Sequence, residues 1–100
     1  MEFSMQEAGN TLEVMMQGRF TFSENQKFKL ILQQALRSKP AVVIFDLTKV
    51  DFIDSAGLGM LLLAKDEMDS MSTSILLRGA QGQVKKMLNV SCFEVLFGMA

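Results

Sequence analysis

The run AVVIFDL at 41–47 lies between two stretches of helical periodicity, and this arrangement restricts the folds open to the chain. It is short, rich in β-branched residues and carries one charge, which favours a strand over a helix. A continuously apolar strand is expected in the middle of a sheet, covered on both faces, beside parallel neighbours. Parallel neighbours require crossover connections, and the flanking segments supply them. Upstream, Phe28, Ile31, Leu32, Ala35 and Leu36 form the apolar stripe of an amphipathic helix, with Ser23 as candidate N-cap and Glu24 in the first turn. Pro40, the one proline, stops that helix and takes Lys39 out of helical angles. Downstream, a second helix is predicted to begin at or just after Ser55 and to run to about Asp69. Leu58, Met60, Leu61, Leu62, Leu63 and Ala64 leave its first half few polar positions and so largely buried, while KDEMDS returns to water.

The remaining segments extend the alternation. Met1, Phe3 and Met5 alternate with Glu2, Ser4 and Gln6, a period of two that predicts a half-buried strand. Gly9-Asn10 then reads as a hairpin turn into LEVMMQG, with Leu12, Val14 and Met16 on one side and Gly18 at its end. TSILLR at 73–78 is a further strand, followed by a turn over Gly79–Gly82 and a short helix carrying Val84, Met87 and Leu88. FEVLF at 93–97 alternates Phe93, Val95 and Phe97 and reads as a last edge strand. The order β-β-α-β-α-β-α-β predicts an α/β fold: one domain over residues 1–100, with helices packed on a mixed sheet and right-handed crossovers. In such sheets function gathers at the carboxyl ends of strands, and Ser55 stands at such an end.

Composition narrows the chemistry. Ten Lys plus Arg against eleven Asp plus Glu, with no basic run, argue against nucleic acid as a partner. The longest nearly uncharged stretch, AGLGMLLLA at 56–64, falls short of a bilayer span, and MEFSMQEAGN has no signal-like core, so a cytoplasmic protein without membrane partners is expected. Cys92 is the single cysteine, which excludes an internal disulfide and a multi-cysteine metal site and leaves a buried core thiol as the simplest reading. Histidine is absent, which excludes a Ser-His-Asp triad, a Cys-His pair and a histidine-based zinc site. Gly57-Leu58-Gly59 is not a dinucleotide loop, since Leu62 stands where the third glycine belongs, and no phosphate-loop lysine follows. No catalytic residue, metal or cofactor is expected. The nine methionines, among them Met15, Met16, Met60 and Met87, read as adaptable core filling, and Lys65, Asp66, Glu67 and Asp69 as a solvated helix face.

The segment DFIDSAGLG at 51–59 carries the remaining chemistry, and three readings of Ser55 compete. It can be the N-cap of the second helix. It can be a nucleophile, although the strand-to-helix nucleophile elbow needs glycine two residues earlier, where Ile53 stands, and no histidine is available as base. It can also be a phosphorylation switch, because a helix N-terminus tolerates an anion while the added charge beside Asp51 and Asp54 would repel a docked partner. Gly57 and Gly59 would then allow close approach to the backbone.

The segment DLTKVDFIDSAGLGMLLLAKDE resembles the signature region of the STAS domain found in bacterial anti-sigma factor antagonists, and the likeness runs along essentially the whole chain. GRF at 18–20 is similar to the family's early glycine-acidic-leucine turn, and VKKMLNVSCFEVLF to its closing helix and strand. The resemblance implies a non-enzymatic module whose serine is phosphorylated by an anti-sigma factor serine kinase with a histidine-kinase-like ATPase fold. It further implies that the unphosphorylated form binds that kinase and frees a sigma factor, and that a metal-dependent serine phosphatase restores it. By position the modified residue is Ser55, with Asp54, Ala56, Gly57, Leu58 and Gly59 as docking surface and Gly18, Arg19, Phe20 and Thr21 as a second contact. Two positions depart from the pattern. Ala56 replaces a second hydroxyl residue, and Arg19 stands where the family often has an acid. An alternative implied by the same resemblance is a STAS subunit that binds a transporter ATPase or a sensor complex and uses Ser55 only as a cap.

Overall fold

The computed structural model describes residues 2–91 and, as backbone, residues 98–99. A hairpin opens the chain: β1 (Glu2–Ala8) pairs antiparallel with β2 (Thr11–Phe20) across Gly9-Asn10. Gly9 takes φ +61°, a value that L side chains seldom adopt. The crossover to β3 (Val42–Ile53) is α1 (Asn25–Ser38), preceded by a 3₁₀ turn over Phe22–Glu24. The crossover to β4 (Ser74–Arg78) is α2 (Ser55–Asp69), and α3 (Gly82–Val90) leads on to β5 (Gly98–Met99). All pairings after the hairpin are parallel, and the strands lie in chain order β1-β2-β3-β4-β5. The expected element order therefore holds. The predicted strand at 93–97 and Cys92 lie outside the described residues.

A monotonic strand order with right-handed crossovers places every crossover helix on the same face of the sheet. The core follows from this. Leu12, Val14, Met16 and Phe20 of β2, Val43, Phe45, Leu47, Val50 and Ile53 of β3, and Ile75 and Leu77 of β4 form one buried cluster with Phe28, Ile31, Leu32 and Ala35 of α1, Leu58, Leu61, Ala64 and Met68 of α2, and Val84 and Leu88 of α3. Phe28 links Phe20 and Phe45, with ring centroids 5.1 and 5.7 Å away. β3 is thus buried on one face only. Val42, Ile44 and Asp46 on its other face are half-buried, which corrects the expectation of a strand covered on both sides. That open face is tied together by Arg78, whose Nη2 lies 2.7 Å from Glu13 and 2.9 Å from Asp46, joining β2, β3 and β4.

Several local expectations change. Ser23 does not cap α1: it lies inside the 3₁₀ turn, where its hydroxyl shares a 2.9 Å hydrogen bond with Thr21. α1 ends at Lys39 in the left-handed region (φ 50°, ψ 54°), with its N–H on the Ala35 carbonyl, before the buried Pro40. Leu62 and Leu63, expected to be buried, are exposed on α2, and Met15 is exposed on the open sheet face while Met16 is core. Lys65 and Asp69 form an exposed pair at 2.6 Å, as a solvated helix face allows.

β3 is longer than its apolar run because it contains two bulges. Met15 pairs with Asp46 but Gln17 with Lys49, and Gly18 pairs with Val50 but Arg19 with Phe52. Each step leaves one extra residue on β3. The inward positions therefore run Val43, Phe45, Leu47, then Val50, then Ile53. Asp46 Oδ1 accepts the Thr48 N–H at 2.9 Å and so organises the first bulge. Gly79, at φ +76°, lies against Thr48, where a Cβ would come within 2.0 Å of Oγ1.

Candidate functional site at the β3–α2 junction

The second bulge delivers Ile53 inward beside Phe20, so β2 and β3 end together. Asp54 follows in extended conformation, and its N–H donates to the Phe20 carbonyl at 3.4 Å. Its carboxylate then serves two elements. Oδ1 accepts the Gly57 N–H at 2.7 Å, capping α2, and Oδ2 accepts the Phe22 N–H at 3.4 Å, holding the start of the 3₁₀ turn. The N-cap of α2 is thus Asp54, and Ser55 is the first helical residue, which overturns the cap reading of Ser55. A carboxylate at this position also complements the positive end of the helix dipole.

Freed from capping, the Ser55 side chain is exposed, and among the described residues no hydrogen bond engages its hydroxyl. Helix geometry leaves the N–H groups of Ser55 and Ala56 without intrahelical acceptors, whereas that of Gly57 is taken by Asp54. A free hydroxyl on a fixed backbone, beside unused donors, can accept a phosphoryl group without repacking the core.

The two glycines divide the work expected of both. At Gly57 a Cβ would come within 2.4 Å of the Phe20 carbonyl oxygen and 2.7 Å of Ile53 Cγ1, so this glycine lets the helix sit against the ends of β2 and β3. At Gly59 a Cβ would meet nothing within 4 Å. Gly57 and Leu58 are buried, and so is Phe20. These three shape the site from beneath and are not part of its outer surface, a correction to the docking set read from the motif. Asp54 and Ala56 are half-exposed, and Gly59 is exposed.

The second expected contact is also rearranged. Gly18-Arg19-Phe20 is not a turn but the last segment of β2. Gly18, at φ +102°, sits at the second bulge. Arg19 is exposed, with its guanidinium carbon 4.3 Å from the centre of the Phe52 ring, a cation–π contact between strand neighbours at the mouth of the site. Thr21 begins the chain's exit into the 3₁₀ turn. Three residues outside the motif join the site. Phe22 is 66% exposed, with its N–H on Asp54, and Leu62 and Leu63 continue the outer face of α2 beyond Gly59. An apolar side chain just before a helical stretch in the sequence gives no sign of facing water, so spacing alone does not reveal Phe22. Among the described residues no helix is long and apolar enough to cross a membrane.

The STAS domain model matches residues 2–99. The chain belongs to the STAS domain family. A STAS-domain containing protein of Pseudomonas aeruginosa (strain UCBPP-PA14) is 35% identical over 89 residues, which covers 89% of this chain and 87% of the relative. Among solved structures, this STAS domain is similar to the anti-sigma factor antagonist SpoIIAA in its unphosphorylated form, with a TM-score of 0.78, 17% identity and coverage of 99% of this chain and 87% of that one. The phosphorylated form of SpoIIAA, from Bacillus, superposes with a TM-score of 0.75 at 16% identity, covering 99% and 91%. A sulfate transporter family protein from Wolinella succinogenes reaches 0.76 at 24% identity, covering 89% and 72%. At these identities the superpositions establish the STAS fold.

Proposed function

We propose that this STAS domain is an anti-sigma factor antagonist that acts by binding, not catalysis, and is switched by phosphorylation of Ser55. The observation that carries this reading is the exposed Ser55 hydroxyl, unengaged among the described residues, on a backbone held by the Asp54 cap. The unmodified form docks on an anti-sigma factor serine kinase through Asp54, Ala56, Gly59 and Thr21, with Arg19, Phe22, Leu62 and Leu63 around them. Phosphate on Ser55 adds about 1.5 to 2 negative charges next to Asp54 and four residues from Asp51, and removes the charge and shape match. A metal-dependent phosphatase resets the switch. The fold of SpoIIAA, solved in both phosphorylation states, is a scaffold of the same kind.

A second reading is a STAS subunit that binds a transporter ATPase or a sensor complex without modification, in keeping with the fold shared with a sulfate transporter family protein. Affinity capture from the source cell separates the two. Ser55→Ala should retain a kinase of histidine-kinase-like ATPase fold and Ser55→Asp should lose it, with phosphate mapped to Ser55 on the native protein. Equal capture of one transporter or sensor subunit by both variants would support the second reading.

A further inference from the structure

β3 outruns its neighbour. Pairing with β4 stops at Asp46–Arg78, yet β3 continues to Ile53, so the edge from Thr48 onward has no strand on that side among the described residues. Two glutamines fill the gap. Gln81 Nε2 donates to the Thr48 carbonyl at 2.8 Å. Gln83 does more: its Oε1 accepts the Ile53 N–H at 2.9 Å, and its Nε2 donates to the Ile53 carbonyl at 2.9 Å. A carboxamide that takes both main-chain groups of one residue reproduces the pairing a neighbouring strand would give. Gln83 is itself fixed, because the next residue, Val84, is fully buried and so is Leu88 one turn later.

We propose that Gln83 is the positioning residue of the site: by clamping Ile53 it fixes the backbone from which Asp54 caps α2 and Ser55 faces solvent. Ile53 is held from both sides, by Gln83 on one and by its pairing with Phe20 of β2 on the other. The next residue is the cap, so a change in peptide orientation at Ile53 moves Asp54 directly. The clamp also ties the site to α3. The benefit to phosphoryl transfer rests on the function proposed above; the clamp itself does not.

Amide hydrogen exchange on the purified chain tests it without a kinase. Gln83→Ala and Gln83→Met should each speed exchange at Ile53, Asp54 and Gly57 about tenfold, the loss of roughly one net hydrogen bond. Phe45 and Leu77 should exchange as in the wild type. Gln81→Ala should leave residues 53–57 unchanged. Gln83→Met keeps the packing volume without the hydrogen bonds, so wild-type protection in that variant would overturn the proposal, as would a uniform rise across the sheet. In the source cell, Ser55 phosphate measured by mass spectrometry should fall about tenfold in Gln83→Met. Absence of phosphate from the wild type would defeat the phosphorylation reading and leave the exchange result to decide the clamp. Full phosphorylation of Gln83→Met would show that the site is held without it and overturn the proposal.

Discussion

Gly57 and Gly59 lie two residues apart in one helix and face opposite environments, which makes them a matched pair for measuring how tightly α2 is seated. Replacing either by alanine relieves the backbone entropy that glycine loses in a helix, a gain of up to about 1 kcal/mol. At Gly59 the new methyl group meets open space. At Gly57 it would lie 2.4 Å from the Phe20 carbonyl oxygen and 2.7 Å from Ile53 Cγ1. Neither neighbour yields easily: Ile53 is fully buried, and the Phe20 carbonyl accepts the Asp54 N–H. The helix terminus must lift instead, at the about 1–3 kcal/mol typical of overpacked interiors. The propensity gain is common to both variants, so the difference between them isolates the clash. Gly59→Ala should exceed Gly57→Ala in stability by about 1–3 kcal/mol, or roughly 5–20 °C in Tm for a domain of this size. Urea denaturation and calorimetry give both numbers. Equal stability of the two variants would refute the close seating of α2 on the strand ends.

Two further outcomes follow from the same contacts. Asp54→Ala should cost about 0.5–2 kcal/mol through loss of the cap, whereas Ser55→Ala should change stability by less than about 0.5 kcal/mol, read from the same unfolding curves. The Asp46 carboxyl responds to pH: partial burial raises its pKa, but hydrogen bonds from Thr48 and the Arg78 guanidinium outweigh this and hold it below its ordinary 3.8. The unfolded chain then binds the proton more readily, so this contribution is complete above about pH 4 and is lost as pH falls below 3.8 through the lower folded value. Asp46→Asn should lower stability at neutral pH and flatten that acid limb in a series of unfolding curves.

The element order and the place of Ser55 were legible because each rests on local periodicity. The extent of α2, Ser55–Asp69, follows from the spacing of Leu58, Leu61, Ala64 and Met68. The continuation of β3 was hidden, because two bulges break the alternation of TKVDFI and leave Thr48 and Lys49 both exposed. The cap was misassigned by one residue: Asp54 and Ser55 are both good N-caps in isolation, and the choice is made by the Phe20 carbonyl and Phe22 N–H, which lie more than thirty positions away in the chain. The burial of Leu58 and the exposure of Leu62 and Leu63 depend on which side of α2 meets the sheet, a property of the assembled layers. Gln83 gave no local signal, since its partner is the backbone of Ile53, thirty residues earlier.

The paired bulges of β3 impose a parity on this part of the chain. The first extra residue moves the inward side chains from odd to even positions, and the second moves them back, so Ile53 points inward as Val43 does. Losing one residue between Leu47 and Val50 would only remove the first bulge: Val50 would follow Leu47 in normal alternation, and Ile53 would stay inward opposite Phe20. Losing one residue at each bulge would keep Ile53 inward on a strand two residues shorter. The bulges therefore absorb length variation of one residue or two and keep Ile53 inward before the serine, whereas a single loss within the regular run Val43–Leu47 would exchange inward and outward positions on one side of the deletion.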